Sequence, residues 1–195
     1  MELGLGEFPP DFNPSSNVAP GQPIAAVRDQ LTKKVEMFKW GLVPVWAKDP
    51  MIGHKLINAR SETIAEKPSF KQAFFRRRCL IPADGFYEWK TEGTRKQPYL
   101  FKMSDGKPFT FAGIWETWRD RAGVELTTCA IITTTPNGLI EKYHDRMPVI
   151  LEENARWRWL ENAPVPDLLS MLIPYPAAGM ATPQQVDPKS LYIIR

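Results

Sequence analysis

Proline is the sequence feature that most restricts what this chain can fold into. Nineteen of its 195 residues are proline, and a proline inside a helix removes a backbone donor and clashes with the preceding turn. So many prolines indicate numerous turns and short strands rather than a helical bundle. We find no internal repeat, low-complexity run or linker. The sequence therefore predicts one α+β domain over residues 1–195, with a strand-rich, barrel-like centre and a few short peripheral helices.

The apolar runs between these turns predict the individual elements. Strands are expected over the ranges 24–27, 32–41, 99–102, 109–114 and 126–133. Helices are expected over 152–160 and 166–172, and a charged hairpin loop over 91–96. A further helix of about two turns is expected to be capped by Ser69, with Phe70, Ala73 and Phe74 on one face.

The segment 79–90, CLIPADGFYEWK, contains a carboxylate among aromatic residues. It reads as a short strand, a turn over 82–85 and a second strand from Phe86. Alternation places Phe86 and Glu88 on the same face of that second strand. Glu88 is either a solvated strand residue or a group held in a partly dry pocket for proton transfer.

Two more polar clusters stand at predicted strand ends, where folded scaffolds often place functional side chains. They are Asn58/Arg60/Glu62 and His144/Asp145/Arg146. Together with Glu88 they offer an amide, a carboxylate and an imidazole, a set that can orient an amine and move a proton. The alternative is that all three clusters are ordinary loop residues. The sequence contains no glycine-rich phosphate loop, GxSxG or HExxH motif, so the corresponding hydrolase classes have no support.

Charge and aromatic residues each leave two interpretations open. The net charge of +3 alone does not indicate nucleic acid, but residues 67–78 carry five basic side chains and no acid. This run is either a solvated helix face or a phosphate-attracting patch. Trp40 and Trp46 flank a Gly/Pro segment, and they either pack in the core or form a stacking platform for a base.

Cysteine and histidine counts limit metal and redox chemistry. Cys79 and Cys129 are the two cysteines, too few for a disulfide framework or a zinc motif, and they fit reduced core thiols. With His54 and His144 as the two histidines, we expect no metal and no cofactor. We recognise no signal peptide, membrane span or lipidation motif, and we expect a cytoplasmic protein that is a monomer.

Six segments together resemble one protein family. They are NVAPGQ (17–22), WGLVPVW (40–46), INARSET (57–63), CLIPADGFYEWK (79–90), FAGIWE (111–116) and HDRMPV (144–149). In order and spacing they resemble the SOS-response-associated peptidase (SRAP) family, which shields abasic sites in single-stranded DNA. The resemblance implies a central strand-rich barrel and a positively charged cleft for the strand. It also implies a role in the DNA-damage (SOS) response, with the protein at the nucleoid when it is bound to DNA. The family's peptidase or hydrolase activity would be self-processing, and its lyase-like activity would be chemistry at the abasic site.

The resemblance assigns a role to each matching residue. Asn58 would hydrogen-bond the attacking N-terminal group, Glu88 would shuttle protons, and His144 would contact the ring oxygen of the sugar. The DNA-binding residues implied by the family are Trp40, Trp46, Arg60, Asn17, Pro20 and Arg146. In the family, an N-terminal cysteine closes a thiazolidine on the aldehyde of the opened abasic site.

The start of the sequence departs from the family pattern. It reads Met1-Glu2-Leu3 rather than Cys-Gly-Arg, so we expect that the family's first strand and helix are missing. We expect no thiazolidine cross-link in the chain as written, although the α-amine of Met1 could form a Schiff base. Two hypotheses follow: a protein that shields abasic sites by DNA–protein cross-linking, and a non-catalytic module that binds single-stranded DNA.

Overall fold

A curled sheet, built from strands of both halves of the chain, forms the centre of the molecule. The computed structural model describes residues 3–191. The strands of this sheet are β1 (Pro23–Ala26), β2 (Glu36–Trp40), β3 (Asn58–Arg60), β4 (Arg78–Ala83), β7 (Phe109–Arg119), β8 (Glu125–Thr134), β9 (Met147–Pro148) and β10 (Ile150–Leu151). The path runs β1-β2-β8-β7-β10, with β3 and β9 paired to β8 and β4 paired to β7.

Two backbone hydrogen bonds curl the sheet back on itself. The N–H of Val27, just after β1, donates to the carbonyl of Leu80 in β4 at 2.8 Å, and the N–H of Leu80 donates back at 2.8 Å. Because β4 also pairs with β7 along Arg78–Ala83, the first strand is joined to the far side of the sheet. The predicted α+β class with a strand-rich, barrel-like centre is thereby confirmed.

Both faces of this sheet are buried, and neighbouring residues on each strand serve opposite faces. Cys79 and Ile81 belong to one hydrophobic cluster, whereas Leu80 between them belongs to the other. The same alternation holds on β8, where Ile131 and Ile132 lie in different clusters. Each face therefore needs its own cover.

A second sheet of three strands covers one face. It consists of β5 (Phe86–Glu92), β6 (Arg95–Phe101) and β11 (Gln184–Gln185), in the order β11-β6-β5. Gly93 has φ of +62°, a conformation that glycine adopts without strain, and it helps turn β5 into β6. The expected loop over 91–96 is shorter than predicted, because Glu92 and Arg95 already pair across the hairpin.

Short helices cover the other face. They are α1 (Lys71–Arg76), α2 (Glu153–Arg156) and α3 (Val165–Ser170). A last helix, α4 (Pro188–Leu191), lies near the end of the described chain and does not belong to this cover. Phe70, Ala73 and Phe74 are buried together as predicted. The predicted Ser69 cap is wrong: Phe70 occupies the cap position and no side chain caps the helix. The helix predicted over 152–160 is divided into α2 and a 3-10 turn, Arg158–Leu160.

The corner between the two sheets lies at Asp84 and Gly85. Pro82 and Ala83 still belong to β4, so the turn begins two residues later than the sequence predicts. A Cβ atom on Gly85 would lie 2.9 Å from Leu100 Cδ1 and 3.0 Å from the Phe101 carbonyl oxygen. A side chain at position 85 would therefore require the Leu100 side chain and the Phe101 carbonyl to shift where β5 enters the second sheet.

The basic run 67–78 is divided between solvent and core. Arg77 donates to the Glu116 carboxylate at 2.6 Å. Arg78 is 7% exposed, and its guanidinium donates to four carbonyl oxygens, of Phe74, Phe75, Trp159 and Glu161, at 2.7–2.8 Å. These two cations are structural: Arg77 binds β7 through Glu116, and Arg78 ties β4 to α1 and to the segment of the 3-10 turn. Their guanidinium groups are therefore not available as a surface patch.

Replacing Arg78 tests this structural role. We expect Arg78→Met to lower the free energy of unfolding by about 3 kcal/mol or more, because the carbonyls it satisfies lose their donors in a buried position. The exposed neighbour gives the matched control: Arg76→Met should change stability by about 0.5 kcal/mol or less. Urea unfolding followed by tryptophan fluorescence measures both. Equal effects of the two variants would contradict this account.

Candidate functional site

Glu88 lies on an aromatic floor formed by the second sheet. On β5 it is paired in register with Tyr99, and Phe86 is paired with Phe101. Phe86 and Phe101 stack with ring centroids 5.3 Å apart. Tyr143 covers this face, with its ring centroid 4.7 Å from that of Tyr99 and 5.3 Å from that of Phe101. The predicted sharing of one face by Phe86 and Glu88 thus results in a carboxylate beside packed rings.

This environment changes the acidity of Glu88. Its side chain is 18% exposed. Burial raises the pKa of Glu88 to about 7, the nearby His144 opposes the shift, and the Asp145 carboxylate adds to it. Near neutral pH the carboxyl group is therefore present in both protonation states, as a group that gives and takes protons must be.

His144 lies beside Glu88, on the segment that precedes β9. Its Nδ1 is 3.9 Å from Glu88 Oε2 and 3.2 Å from Asp145 Oδ1. The backbone N–H of Arg146 donates to the same nitrogen at 3.1 Å. When Nδ1 accepts this bond the ring is neutral and its proton is on Nε2. When Nδ1 is protonated, it faces the two carboxylates instead.

Glu88 and His144 share a cavity of about 500 Å³. Its lining consists of Glu88, Trp89, Thr91, Lys96, His144 and Pro188. Cavities of this size hold small-molecule ligands and cofactors in other proteins. A proton donor, a proton acceptor and room for a sugar-sized group are thus together.

Arg146 anchors the His144 segment to the cluster after β3. Its guanidinium binds both oxygens of Glu62, at 2.6 and 2.9 Å, and donates to the Thr133 carbonyl at 2.7 Å. Arg146 pairing lowers the pKa of Glu62, so this carboxylate stays ionised. Two of the three predicted polar clusters are therefore in direct contact through Glu62 and Arg146, and Glu88 meets the second of them through His144.

Asn58 and Arg60 lie on β3, parallel to β8 in the register Asn58↔Ile131 and Arg60↔Thr133. Both side chains are exposed. Neither makes a side-chain hydrogen bond with any of residues 3–191. The structure thus brings Glu88 and His144 together, whereas the convergence of Asn58 on them stays a prediction.

The two tryptophans of the 40–46 segment have different environments. Trp40 is half-buried, and its indole N–H donates to the Ile57 carbonyl at 2.9 Å. Trp46 is 56% exposed and lies next to the exposed Val45. The core-packing alternative therefore applies to Trp40 and is wrong for Trp46.

Asn17 and Pro20 lie in the loop before β1. Asn17 is half-buried, and its side-chain amide donates to the Leu191 carbonyl of α4 at 2.8 Å. Pro20 is exposed in a turn. The predicted amine of Met1 lies outside the described residues.

Sequence reasoning missed several parts of the cavity. Thr91 and Lys96 face each other across the hairpin in register, which a hairpin prediction with the correct loop length would have found. Pro188 carried no local signal, because it reaches the cavity through contacts distant in sequence. Within residues 3–191 we find no group of three His, Cys, Asp or Glu side chains that could hold a metal ion.

The described residues include neither a membrane-spanning helix nor an exposed thiol. None of the helices in residues 3–191 has the length and apolar character that crossing a membrane requires. Cys79 and Cys129 are buried in β4 and β8, as their strand-like surroundings predict. Burial raises the pKa of Cys79 well above its usual value and raises that of Cys129 to about 12, so both thiols stay protonated and are poor nucleophiles.

Comparison with known proteins gives a consistent result. The family model described as "SOS response associated peptidase (SRAP)" matches residues 4–188. The chain is 45% identical to "Abasic site processing protein YoqW" of Bacillus subtilis over 185 residues, covering 92% of this chain and 83% of that protein. It is 36% identical to "Abasic site processing protein HMCES" of Gallus gallus over 167 residues, covering 73% of this chain and 50% of that protein.

Solved structures agree with these sequence matches. A crystal structure of a Bordetella bronchiseptica protein superimposes with a TM-score of 0.84 at 28% identity, covering 95% of this chain and 93% of the other. A Bacteroides thetaiotaomicron protein gives a TM-score of 0.82 at 32% identity, covering 88% and 76%. By the family model, the sequence identity and the fold together, this chain belongs to the SOS response associated peptidase (SRAP) family.

Proposed function

We propose that this chain binds single-stranded DNA and processes abasic sites in it, with Glu88 and His144 moving protons at the damaged sugar. The observation that carries the proposal is the Glu88–His144 pair in one cavity. The names of the relatives, which describe abasic site processing, supply the substrate class.

The first step of the proposed reaction opens the sugar ring. An abasic sugar is a cyclic hemiacetal, and opening it breaks the C1′–O4′ bond. Protonated His144 gives a proton to O4′ as that bond breaks, and the Glu88 carboxylate takes the proton from the C1′ hydroxyl. The products are a free aldehyde and a 4′ hydroxyl. His144 is then neutral, and Glu88 is protonated.

The second step captures the aldehyde by an amine. The amine adds to the carbonyl carbon to give a carbinolamine, and the neutral form of Glu88 protonates its hydroxyl group, which leaves as water. The result is a Schiff base. A pKa near 7 suits this task, because Glu88 must accept a proton in one step and donate it in the other. Asn58 would orient the amine, and Arg60 would meet a phosphate, whereas Arg146, whose guanidinium binds Glu62 and Thr133, would hold His144 in place through its backbone N–H.

A non-catalytic module that binds single-stranded DNA is the second candidate. The exposed ring of Trp46 favours it, because such a ring offers a stacking surface to any base. The buried, protonated thiols of Cys79 and Cys129 offer no nucleophile of their own. Salt-dependent binding without a covalent product would select this candidate over the first.

Covalent capture is tested with an oligonucleotide that carries one abasic site. After reduction by borohydride, we expect the chain to give a covalent adduct on a denaturing gel, and we expect Glu88→Gln to form it about 100-fold more slowly, as for loss of a general acid–base.

The controls are an exposed residue of the same strand and a sugar that cannot open. Glu92→Gln should react at the normal rate, and a tetrahydrofuran analogue of the abasic site should give no adduct with any variant. Equal rates for Glu88→Gln and Glu92→Gln would exclude the proton-transfer role of Glu88.

The raised pKa of Glu88 also makes a prediction about stability. An unfolded glutamate has a pKa of about 4.3, and the folded value is about 7. The folded state therefore holds a proton that the unfolded state has lost, and this contribution to stability disappears as the pH rises through 7. We expect Glu88→Gln to gain stability relative to the unmodified chain between pH 5 and pH 8, measured by urea unfolding. Glu92→Gln should show no such trend, and a relative loss for Glu88→Gln would contradict the raised pKa.

The two tryptophans give a paired prediction. Trp46→Ala should weaken binding to single-stranded DNA by about 5-fold or more, since stacking on an aromatic ring is worth about 1–3 kcal/mol per base, and it should leave the thermal midpoint unchanged. Trp40→Phe should lower the thermal midpoint, because the Ile57 carbonyl loses its donor. Fluorescence anisotropy and thermal unfolding measure the two effects. A Trp46→Ala variant that binds normally would rule out the stacking role.

A further inference from the structure

The β5–β6 hairpin extends from Glu88 to the rim of the cavity. Thr91 lies three residues beyond Glu88 on β5, about 10 Å along the strand, and it pairs in register with Lys96 on β6. Both residues are exposed, and both line the same cavity as Glu88. Because Thr91 is an odd number of residues from Glu88, Thr91 and Lys96 lie on the opposite face of the hairpin from the carboxylate, and they border the shared cavity at its rim.

Neither of the hairpin's other two cations lines the cavity. The Lys90 ammonium lies 3.7 Å from Glu92 and 5.5 Å from the centroid of the Tyr143 ring. Arg95 stands opposite Glu92 in the strand register. Lys96, in contrast, forms no ion pair with any residue that the structure describes. Among the described lining residues, Lys96 carries the one permanent positive charge.

A positive charge on the lining would favour a phosphate at this cavity. Glu88 and Asp145 both present carboxylates near His144, and each repels an approaching phosphate. The basic run 67–78 does not supply the compensation through Arg77 and Arg78, because these side chains bind Glu116 and backbone carbonyls. A lysine ammonium binds phosphate as a point charge without a fixed geometry, and a threonine hydroxyl can donate to the same group.

We propose that Lys96, together with Thr91, binds a backbone phosphate next to the abasic sugar and so determines which sugar of the strand lies over Glu88. This inference rests on the proposed function. It assigns the positioning of the DNA strand to the end of the β5–β6 hairpin, where Lys96 is the one lysine or arginine among the described lining residues.

The salt dependence of binding tests this contact. Each phosphate contact on a single strand contributes about 0.7 to the slope of log K against log salt concentration. We expect Lys96→Gln to make this slope shallower by about 0.7 for an undamaged single-stranded oligonucleotide, and Lys96→Arg to retain the normal slope. Lys107→Gln is the matched control, because Lys107 is exposed and lines a different cavity of about 350 Å³.

The outcomes separate this inference from the function on which it rests. If the unmodified chain binds the strand and Lys96→Gln behaves like Lys107→Gln, the phosphate contact is wrong and the proposed function is untouched. If the unmodified chain does not bind single-stranded DNA at any salt concentration, the proposed function itself fails. A shallower slope for Lys96→Gln alone, restored in Lys96→Arg, supports the contact.

Discussion

The constraint on which this structure depends is the burial of both faces of one curled sheet. Residues such as Leu80 and Ile81 lie next to each other in sequence and in different hydrophobic clusters, so neither face can be left to solvent. Short helices cover one face, and the three-stranded sheet covers the other. That second cover places Glu88 against Tyr99 and Tyr143, and the loss of water there raises its pKa. The chemical character of the site is thus a result of how the core is closed.

Charged groups around the cavity form a connected series rather than separate pairs. Glu62 binds the Arg146 guanidinium, the Arg146 backbone N–H binds His144, and His144 faces Glu88. Each link restricts the next, so the imidazole is oriented by groups that do not themselves touch the cavity. An ionised Glu62 matters here because a neutral side chain would hold the arginine less firmly.

Local patterns in the sequence carried part of this information. Alternation correctly placed Phe86 with Glu88, and helical spacing correctly grouped Phe70, Ala73 and Phe74, because each depends on residues close together in the chain. Local patterns could not reveal that Arg78 lies in the core, since its carbonyl partners Trp159 and Glu161 are about 80 residues away. For the same reason Pro188 was missed. Trp46 was ambiguous because tryptophan is common both in cores and at binding surfaces.

The two buried thiols have a consequence for any chemistry that uses an aldehyde. Free thiolates add readily to electrophilic carbon, and a reactive cysteine inside the domain would divert a damaged strand into unproductive adducts. Cys79 and Cys129 are enclosed in β4 and β8 with their protons retained. The two thiols inside the domain are therefore unreactive toward electrophiles. A thiol brought to the cavity from elsewhere would not compete with them for the aldehyde.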